Sequence, residues 1–226
     1  MTEKRIGLLG GSFNPVHNGH LRMALQVCHA LSLDRVDLIP AKSPPHKSGR
    51  GLLPFELRVR MLESSVQGRD FLRVCEMEGR RKGPSYTVDT LKEYRRDNPE
   101  AGLVFILGLN DIPALSAWHS WAEIFSLADM AVVERAGLSG AVVHDFLSQN
   151  LPDAFYRESS ASWRVKGATL CLVSMPRMDL SSSLLRWMWL KGMELDFLLP
   201  DCALDILRRE RRTVTTVWEE SALDGG

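Results

Sequence analysis

Two histidines stand three residues apart in the segment 10–20, which reads GGSFNPVHNGH. The segment follows a short apolar run and opens a helical pattern, so His17 and His20 are expected on one face of the first helical turn. The start of a helix offers N–H groups without intrahelical partners and a positive dipole end, and each imidazole can donate a ring N–H. Because Gly10 and Gly11 let the backbone approach a ligand closely, the segment predicts a phosphate-binding turn.

A second candidate for phosphate binding is the segment 180–186, LSSSLLR, where a loop enters a helix. The hydroxyl and N–H groups of Ser181 and Ser182 can hold triphosphate oxygens. Arg186, one turn later, adds a planar fork of donors. A run of serines before a helix is by itself most often a helix cap, so this segment indicates phosphate binding only together with the first one.

Three further segments carry side chains that suit a small ligand, and each also has a plain structural interpretation. They read PPHK at 44–47, GPSYTVDTL at 83–91 and WHSW at 118–121. Lys47 can be an ordinary loop charge, Thr87 a helix cap and Trp118 a core residue.

The elements that must position these residues alternate between strand and helix. Apolar runs predict strands at residues 5–9, 36–40, 71–75, 103–107, 130–133 and 169–173, and helical patterns cover residues 21–31, 55–66 and 88–94. Such alternation predicts an α/β fold, Rossmann-like and doubly wound, with a mostly parallel sheet and a small C-terminal helical part. Ligands of such sheets bind beyond the carboxyl ends of the strands, where the candidate segments lie. Residues 137–166 are the stretch whose elements the pattern leaves open.

The chain of 226 residues is expected to form a single domain over residues 1–226. Its helical part covers about residues 181–212, and the end frays at 219–226.

Lys+Arg and Asp+Glu both number 28, so the formal net charge is zero, which argues against general electrostatic binding of nucleic acid. The four cysteines form no CxxC pair, no apolar run is long enough to span a bilayer, and no signal peptide precedes the first strand. These features predict a cytoplasmic protein without a membrane partner.

Other nucleotide-binding signatures are missing from the sequence. It contains no GxxxxGK[ST] and no GxGxxG. Segment 10–20 instead resembles the GxFxPxHxGH signature of the HxGH nucleotidyltransferases, and segment 180–186 resembles their late ISSTxxR-like motif. With the PPHK, SYTVDTL and WHSW strings and the tail 195–207, the sequence is similar to the bacterial nicotinate-nucleotide adenylyltransferases over about residues 5–207.

This resemblance implies a set of site residues. The catalytic ones are His17, His20, Ser182 and Arg186. The residues implied to bind ATP are Gly10, Gly11, Ser12, Phe13, His17, Gly19, His20, Gly108, Asn110, Ser181, Ser182 and Arg186. Those implied to bind the mononucleotide are Lys47, Ser85, Tyr86, Thr87, Trp118 and Arg135. The sequence departs from the family at Asn14, where aspartate is common, and at Asn110, which holds the place of a usual acid beside Asp111.

The resemblance also implies the reaction, in which nicotinate mononucleotide and ATP give deamido-NAD and pyrophosphate by direct in-line attack. Mg²⁺ would accompany ATP, and no dedicated protein metal site is expected. Nicotinamide mononucleotide or phosphopantetheine as the acceptor, or a non-catalytic nucleotide sensor, are the alternatives. The oligomeric state stays open.

Overall fold

The computed structural model of the chain describes residues 4–45, 50–135 and 140–222. The strands found there are β1 (Arg5–Gly11), β2 (Arg35–Pro40), β3 (Leu72–Val74), β4 (Gly102–Gly108), β5 (Asp129–Arg135), β6 (Phe155–Arg157), β7 (Ser162–Val165) and β8 (Ala168–Met175). The α-helices are α1 (Asn18–Ala30), α2 (Phe55–Val66), α3 (Met77–Arg80), α4 (Thr87–Asp97), α5 (Ile124–Leu127), α6 (Ala141–Asn150), α7 (Ser182–Leu190), α8 (Asp201–Arg209) and α9 (Arg211–Ala222). Two 3₁₀ helices cover Leu109–Ala117 and Trp121–Glu123.

The strands form an eight-stranded sheet in the order β3-β2-β1-β4-β5-β8-β7-β6. The pairs β1–β4, β4–β5 and β5–β8 are parallel. Residues 103–107 of β4 are buried without a break, as expected for a strand covered on both faces. The predicted α/β class and the mostly parallel sheet are therefore confirmed.

Residues 140–167, which the sequence pattern left open, contain a helix and an antiparallel extension of the sheet. Helix α6 is followed by β6 and β7, and β7 pairs antiparallel with β8. Lys166 and Gly167 connect β7 to β8 with φ angles of +51° and +92°. Positive φ at both central residues is the geometry of a tight two-residue hairpin turn.

The chain divides into two compact units. The first takes its described residues from Met1–Gly10, Met23–Asp37 and Tyr86–Met178, and the second from Gly11–Arg22, Leu38–Ser85 and Asp179–Gly226. The first unit contains the parallel core of β1, β4, β5 and β8. The second contains the segment between β1 and α1, helix α2 and the three C-terminal helices.

A buried polar cluster fixes α4 in the first unit. The Tyr94 hydroxyl donates to the Asp37 carboxylate, and Arg35 donates to both Asp37 (2.9 Å) and the Tyr94 oxygen (3.0 Å). Burial and the neighbouring Asp37 raise the pKa of Tyr94, which keeps the phenol protonated and donating. At the other end of α4, Arg95 donates to the carbonyls of Ala101 (2.5 Å) and Leu127 (2.9 Å). The bonds of Tyr94 fix the helix against β2, and those of Arg95 fix its C-terminal end.

The C-terminal helices of the second unit pack through aromatic and apolar residues. Trp218 of α9 is buried and meets the Trp189 ring edge-on at 5.8 Å, while the Trp189 indole N–H donates to Thr215 Oγ1 at 3.0 Å. Within the part of the chain that the structure describes, no helix has the length and apolar character needed to cross a bilayer.

Candidate functional site

The segment between β1 and α1 forms a tight turn in the second unit. Phe13 is buried and has φ of +44°, a left-handed conformation that disfavours non-glycine residues by about 1–2 kcal/mol. Two hydrogen bonds secure the end of this turn, from the Asn18 N–H to the Leu198 carbonyl (3.1 Å) and from the Asn18 side chain to the Phe197 carbonyl (2.8 Å). A Cβ atom on Gly19 would lie 2.9 Å from His17 Nδ1, so only glycine leaves room for this imidazole.

The two histidines of the turn lie against each other. Their rings stack with centroids 3.7 Å apart and 24° between the planes, and Phe13 meets the His20 ring edge-on at 4.9 Å. His17 is buried, whereas His20 is half-buried. The His17 backbone N–H donates to His20 Nδ1 at 3.2 Å, so a neutral His20 carries its proton on Nε2. His20 is thus set up as a hydrogen-bond donor through Nε2.

The serine-rich segment lies beside this turn in the same unit. Ser181 caps α7 by accepting from the Leu184 N–H at 3.1 Å, as the structural interpretation of the segment predicts. The next hydroxyl, Ser182 Oγ, donates to the Pro15 carbonyl at 2.9 Å. This bond joins the start of α7 to the turn that carries the histidines.

Arg186 makes the second link between α7 and the turn. Its Nη1 donates to the Asn14 carbonyl at 2.9 Å and its Nη2 to Ser183 Oγ at 3.0 Å. Burial lowers the pKa of Arg186, but the group remains cationic at neutral pH. Because two of five guanidinium donors are used in these bonds, the fork is held in a fixed direction with donors to spare for an anion.

Asn14 is a buried anchor of the same turn, a role that the sequence did not indicate. Its Nδ2 donates to the Gly51 carbonyl at 2.6 Å, and its Oδ1 accepts from the Leu53 N–H at 3.1 Å. A carboxylate can accept from Leu53 but cannot donate to Gly51. The amide at this position therefore matches its surroundings in this chain better than an acid would.

We expect Asn14→Asp to lower the thermal midpoint of unfolding, and to do so more strongly as the pH rises. The loss of one donor to a buried carbonyl costs about 1–3 kcal/mol, which is roughly 2–12 °C for a chain of this size. Burial and the Gly51 carbonyl would raise the pKa of the new carboxyl above that of an exposed aspartate. Its protonated form can still donate, so stability present at low pH is lost as the pH rises through the folded-state pKa. Thermal unfolding between pH 4.5 and 8 measures this.

Asn14→Ala separates the lost hydrogen bonds from the introduced charge. It should be destabilised by a nearly constant amount over the same pH range, because it adds no titratable group. A pH-independent midpoint difference for Asn14→Asp would contradict the buried-amide interpretation.

In the first unit, helix α4 begins at Thr87. The side chain of Tyr86, the residue before the helix, makes no capping hydrogen bond. The Tyr86 ring stacks on His119 with centroids 4.3 Å apart and 28° between the planes. Trp118 is half-buried and meets Phe105 edge-on at 6.3 Å. The sequence singled out Thr87, Tyr86 and Trp118 but not the stacking partner His119, which lay inside the WHSW string.

The strand β4 ends at Gly108, and a 3₁₀ helix follows directly. Asp111 Oδ2 accepts from the Gly108 N–H at 3.2 Å, so this carboxylate secures the start of the 3₁₀ helix. Asn110 is exposed. Gly10, near the end of β1, is also exposed, and apart from Gly10 and its two chain neighbours no described residue has a heavy atom within 4 Å of the position that a Cβ would take.

The other residues that the sequence predicts for the site lie in different surroundings. Ser85 is bonded to the loop after β2, since its N–H donates to the Ser43 carbonyl (2.9 Å) and its Oγ accepts from the Ser43 N–H (3.1 Å). Ser12 is half-buried within the turn. Lys47 lies outside the described residues, and of Arg135 the structure describes the backbone at the end of β5.

Among the described residues there is no group of three or more His, Cys, Asp or Glu side chains that could hold a metal ion. His20 Nδ1 accepts from the His17 backbone N–H, so in this arrangement it is not available to a cation. A metal that enters with a polyphosphate, held by phosphate oxygens and water, is compatible with this donor set.

Comparison with known proteins gives consistent results. The cytidylyltransferase-like family model matches residues 8–187. A probable nicotinate-nucleotide adenylyltransferase of Geobacter metallireducens is 36% identical, over 92% of this chain and 97% of that protein. A protein of the same description from Trichlorobacter lovleyi is 38% identical, over 87% and 92%. Among solved structures, Plasmodium falciparum nicotinic acid mononucleotide adenylyltransferase complexed with NaAD has a TM-score of 0.72 at 16% identity, covering 93% of this chain and 97% of that one. This last likeness supports the fold.

Proposed function

The chain belongs to the cytidylyltransferase-like family, and within it to the nicotinate-nucleotide adenylyltransferases, and from this membership we propose that it joins nicotinate mononucleotide and ATP. The products are deamido-NAD and pyrophosphate, a step of NAD biosynthesis. The observation that carries this proposal is the linkage of two phosphate-binding elements in one compact unit. Ser182 and Arg186 bond to the Pro15 and Asn14 carbonyls of the turn that holds the stacked histidines.

The reaction is a displacement at the α-phosphorus of ATP. An oxygen of the mononucleotide 5′-phosphate forms the new P–O bond, and the bond from the α-phosphorus to the bridging oxygen of the β-phosphate breaks. The electron pair leaves with pyrophosphate. A phosphate monoester is already ionised near neutral pH, so the nucleophile needs no general base. The protein's contribution is positioning and the stabilisation of charge.

The second unit supplies the groups that meet this charge. His20 donates through Nε2, because its Nδ1 is held by the His17 N–H. Arg186 directs its remaining donors from a fork fixed on the Asn14 carbonyl. The half-buried setting of both groups strengthens their interaction with developing negative charge. Ser182, through its bond to Pro15, and His17, through its stacking on His20, keep these groups in position and complete the proposed catalytic set.

The first unit supplies groups that suit a pyridine ring with a negative substituent. The N-terminus of α4 at Thr87, which the Tyr86 side chain does not cap, favours an anion, and the half-buried Trp118 offers a stacking face. Gly10 and Gly108, at the ends of β1 and β4, and the exposed Asn110 are proposed to contact ATP. Mg²⁺ is proposed to arrive with ATP, where it would neutralise phosphate charge.

A pyrophosphate-release assay tests this function. Purified protein is incubated with ATP, Mg²⁺ and, in separate reactions, nicotinate mononucleotide, nicotinamide mononucleotide or phosphopantetheine. Release with nicotinate mononucleotide, together with deamido-NAD identified by mass spectrometry, is the expected result. Release with phosphopantetheine alone would assign a different acceptor, and ATP binding without release for any acceptor would indicate a nucleotide sensor.

We expect Arg186→Lys to lower kcat/KM for ATP by at least about tenfold. Lysine keeps the charge but cannot hold the Asn14 carbonyl and a phosphate with one rigid planar group. The loss corresponds to about one charge-assisted hydrogen bond. Steady-state kinetics with ATP varied at saturating mononucleotide measures it. An unchanged kcat/KM would mean that Arg186 serves only to fix α7 to the turn.

A further inference from the structure

Arg58 of α2 is a fully buried arginine whose role the sequence did not indicate. Its Nε donates to the Leu53 carbonyl at 2.9 Å, and its Nη1 donates to the carbonyls of Ser12 (2.7 Å) and Ala41 (2.8 Å). Its hydrogen-bond partners within the described residues are thus neutral carbonyl oxygens. Burial lowers the pKa of Arg58 to about 10, although the charges of Glu56 and Glu78 oppose this shift. Burying a cation without a hydrogen-bonded carboxylate costs free energy of folding, so we expect the buried guanidinium to serve a function that offsets this cost.

The three carbonyls share a location around the proposed phosphate site. Ser12 belongs to the turn between β1 and α1, and Ala41 and Leu53 are the two ends of the loop that follows β2. Leu53 is held on both sides, because its N–H donates to Asn14 Oδ1 while its carbonyl accepts from Arg58. One guanidinium therefore fixes three chain segments of the second unit relative to each other.

The bond to Ser12 also determines which way the next N–H points. In a planar trans peptide, the carbonyl oxygen and the following N–H point in opposite directions. Because Arg58 draws the Ser12 oxygen into the interior, the Phe13 N–H is directed away from the guanidinium. Phe13 has φ of +44°, so the turn is held in a conformation that relaxes if its anchor is lost.

We propose that Arg58 is a positioning residue for adenylyl transfer, which fixes the Ser12–Phe13 peptide so that the turn presents its N–H groups and histidines to the reacting phosphate. This role rests on the proposed function, but Arg58 itself touches no substrate, since the side chain is fully buried. The residue acts through geometry, because three carbonyls at 2.7–2.9 Å require the planar fork of arginine.

Arg58→Lys tests the proposal, with Arg95→Lys as a matched control. Arg95 also bridges backbone carbonyls, those of Ala101 and Leu127, but lies in the first unit at the end of α4 remote in sequence from the turn. Both variants lose a bridging fork and keep a charge. We expect Arg58→Lys to lower kcat by about 10- to 100-fold, with a smaller change in KM for nicotinate mononucleotide. Arg95→Lys should lower the unfolding temperature and leave kcat within about twofold of wild type.

The measurement is made well below the unfolding midpoint of each variant, and kcat is expressed per folded molecule. Arg58→Gln is prepared in parallel, because its amide can still donate to a carbonyl without burying a charge, and it should show the same loss of kcat. A wild-type kcat per folded molecule in either Arg58 variant, or an equal loss in Arg95→Lys, overturns the proposal.

Binding of α,β-methylene-ATP, measured by calorimetry, separates this inference from the proposed function. Absence of pyrophosphate release by the wild type contradicts the function, while Arg58 is then judged by binding alone. We expect Arg58→Lys to weaken this binding by at least about tenfold and Arg95→Lys to match wild type. Equal affinity of Arg58→Lys and wild type overturns the positioning role.

Discussion

Replacement of His20 by alanine is expected to lower kcat by roughly 100- to 1000-fold, the usual effect of removing one donor to developing charge. The His17 N–H occupies Nδ1 of His20, which leaves Nε2–H as the donor of the neutral ring. The ring is held in place by stacking on His17 and by the edge of Phe13. Because this orientation exists before substrate binds, the donor needs little reorganisation in the transition state. Single-turnover and steady-state kinetics with ATP and nicotinate mononucleotide measure the loss.

His29→Ala provides the control on the same helix. His29 lies in the last turn of α1 and is exposed, so its removal should leave kcat unchanged. Circular dichroism and thermal unfolding should be near wild type for both variants, since His20 is only half-buried. A His20→Ala enzyme with wild-type kcat would show that the donor to the reacting phosphate is another group.

The parts of the fold that the sequence predicts are those whose residue pattern lies within one continuous segment. The apolar run 103–107 and the Gly10–Gly11 pair needed no partner to be interpreted, and both stand where expected, in β4 and at the end of β1. Residues 155–165, which form β6 and β7, were not predicted, because these strands are short and the pairing of β7 with β8 depends on the Lys166–Gly167 turn. Lysine carries no preference for the positive φ that this turn requires.

The site was predictable to the extent that its residues belong to contiguous motifs. The proposed catalytic residues His17, His20, Ser182 and Arg186 were predicted in this way, and the structure places all four in the second unit, while their catalytic role stays a prediction. The contacts that hold them could not be predicted, because they join residues far apart in the chain, as in the bond from Ser182 to Pro15.

Arg58 left a weak signal in the sequence. It precedes Met61 and Leu62 by three and four residues, so it shares the apolar face of α2, where an arginine is out of place. That pattern indicates a buried charge, but only the structure identifies the three carbonyls that surround it.

The choice between an acid and an amide on the pyridine ring is the second large expected effect. We expect kcat/KM for nicotinate mononucleotide to exceed that for nicotinamide mononucleotide by roughly 10- to 150-fold, the equivalent of one lost charge-assisted hydrogen bond. The physical reason is the first turn of α4. It begins at Thr87 without a cap from the Tyr86 side chain, so its leading N–H groups and positive dipole end favour a carboxylate.

A carboxamide at the same place creates a mismatch. Its NH₂ group would face helix N–H donors, and two donors repel each other where a carboxylate oxygen would accept from both. The position of α4 does not adapt easily, because the Tyr94 hydroxyl anchors the helix to the buried Asp37. Trp118 is proposed to stack on the pyridine ring of either substrate alike, so Trp118→Ala should lower kcat/KM for both mononucleotides by similar factors and leave their ratio unchanged.

Asp89 would oppose this preference only if its carboxylate faced the ring substituent. It lies in the first turn of α4, where a carboxylate aimed at the ring substituent would accept from an amide and repel an acid. If Asp89 points away from the substituent, Asp89→Asn leaves the acid-to-amide ratio within about threefold of wild type, whereas Thr87→Val, which removes a donor of similar size, lowers the ratio by about three- to tenfold. Both ratios come from kcat/KM under identical Mg²⁺ and ATP. A wild-type ratio near one would keep adenylyl transfer and remove the expected preference for the acid, whereas a preference for the amide that Asp89→Asn abolishes would assign the enzyme to the amide substrate.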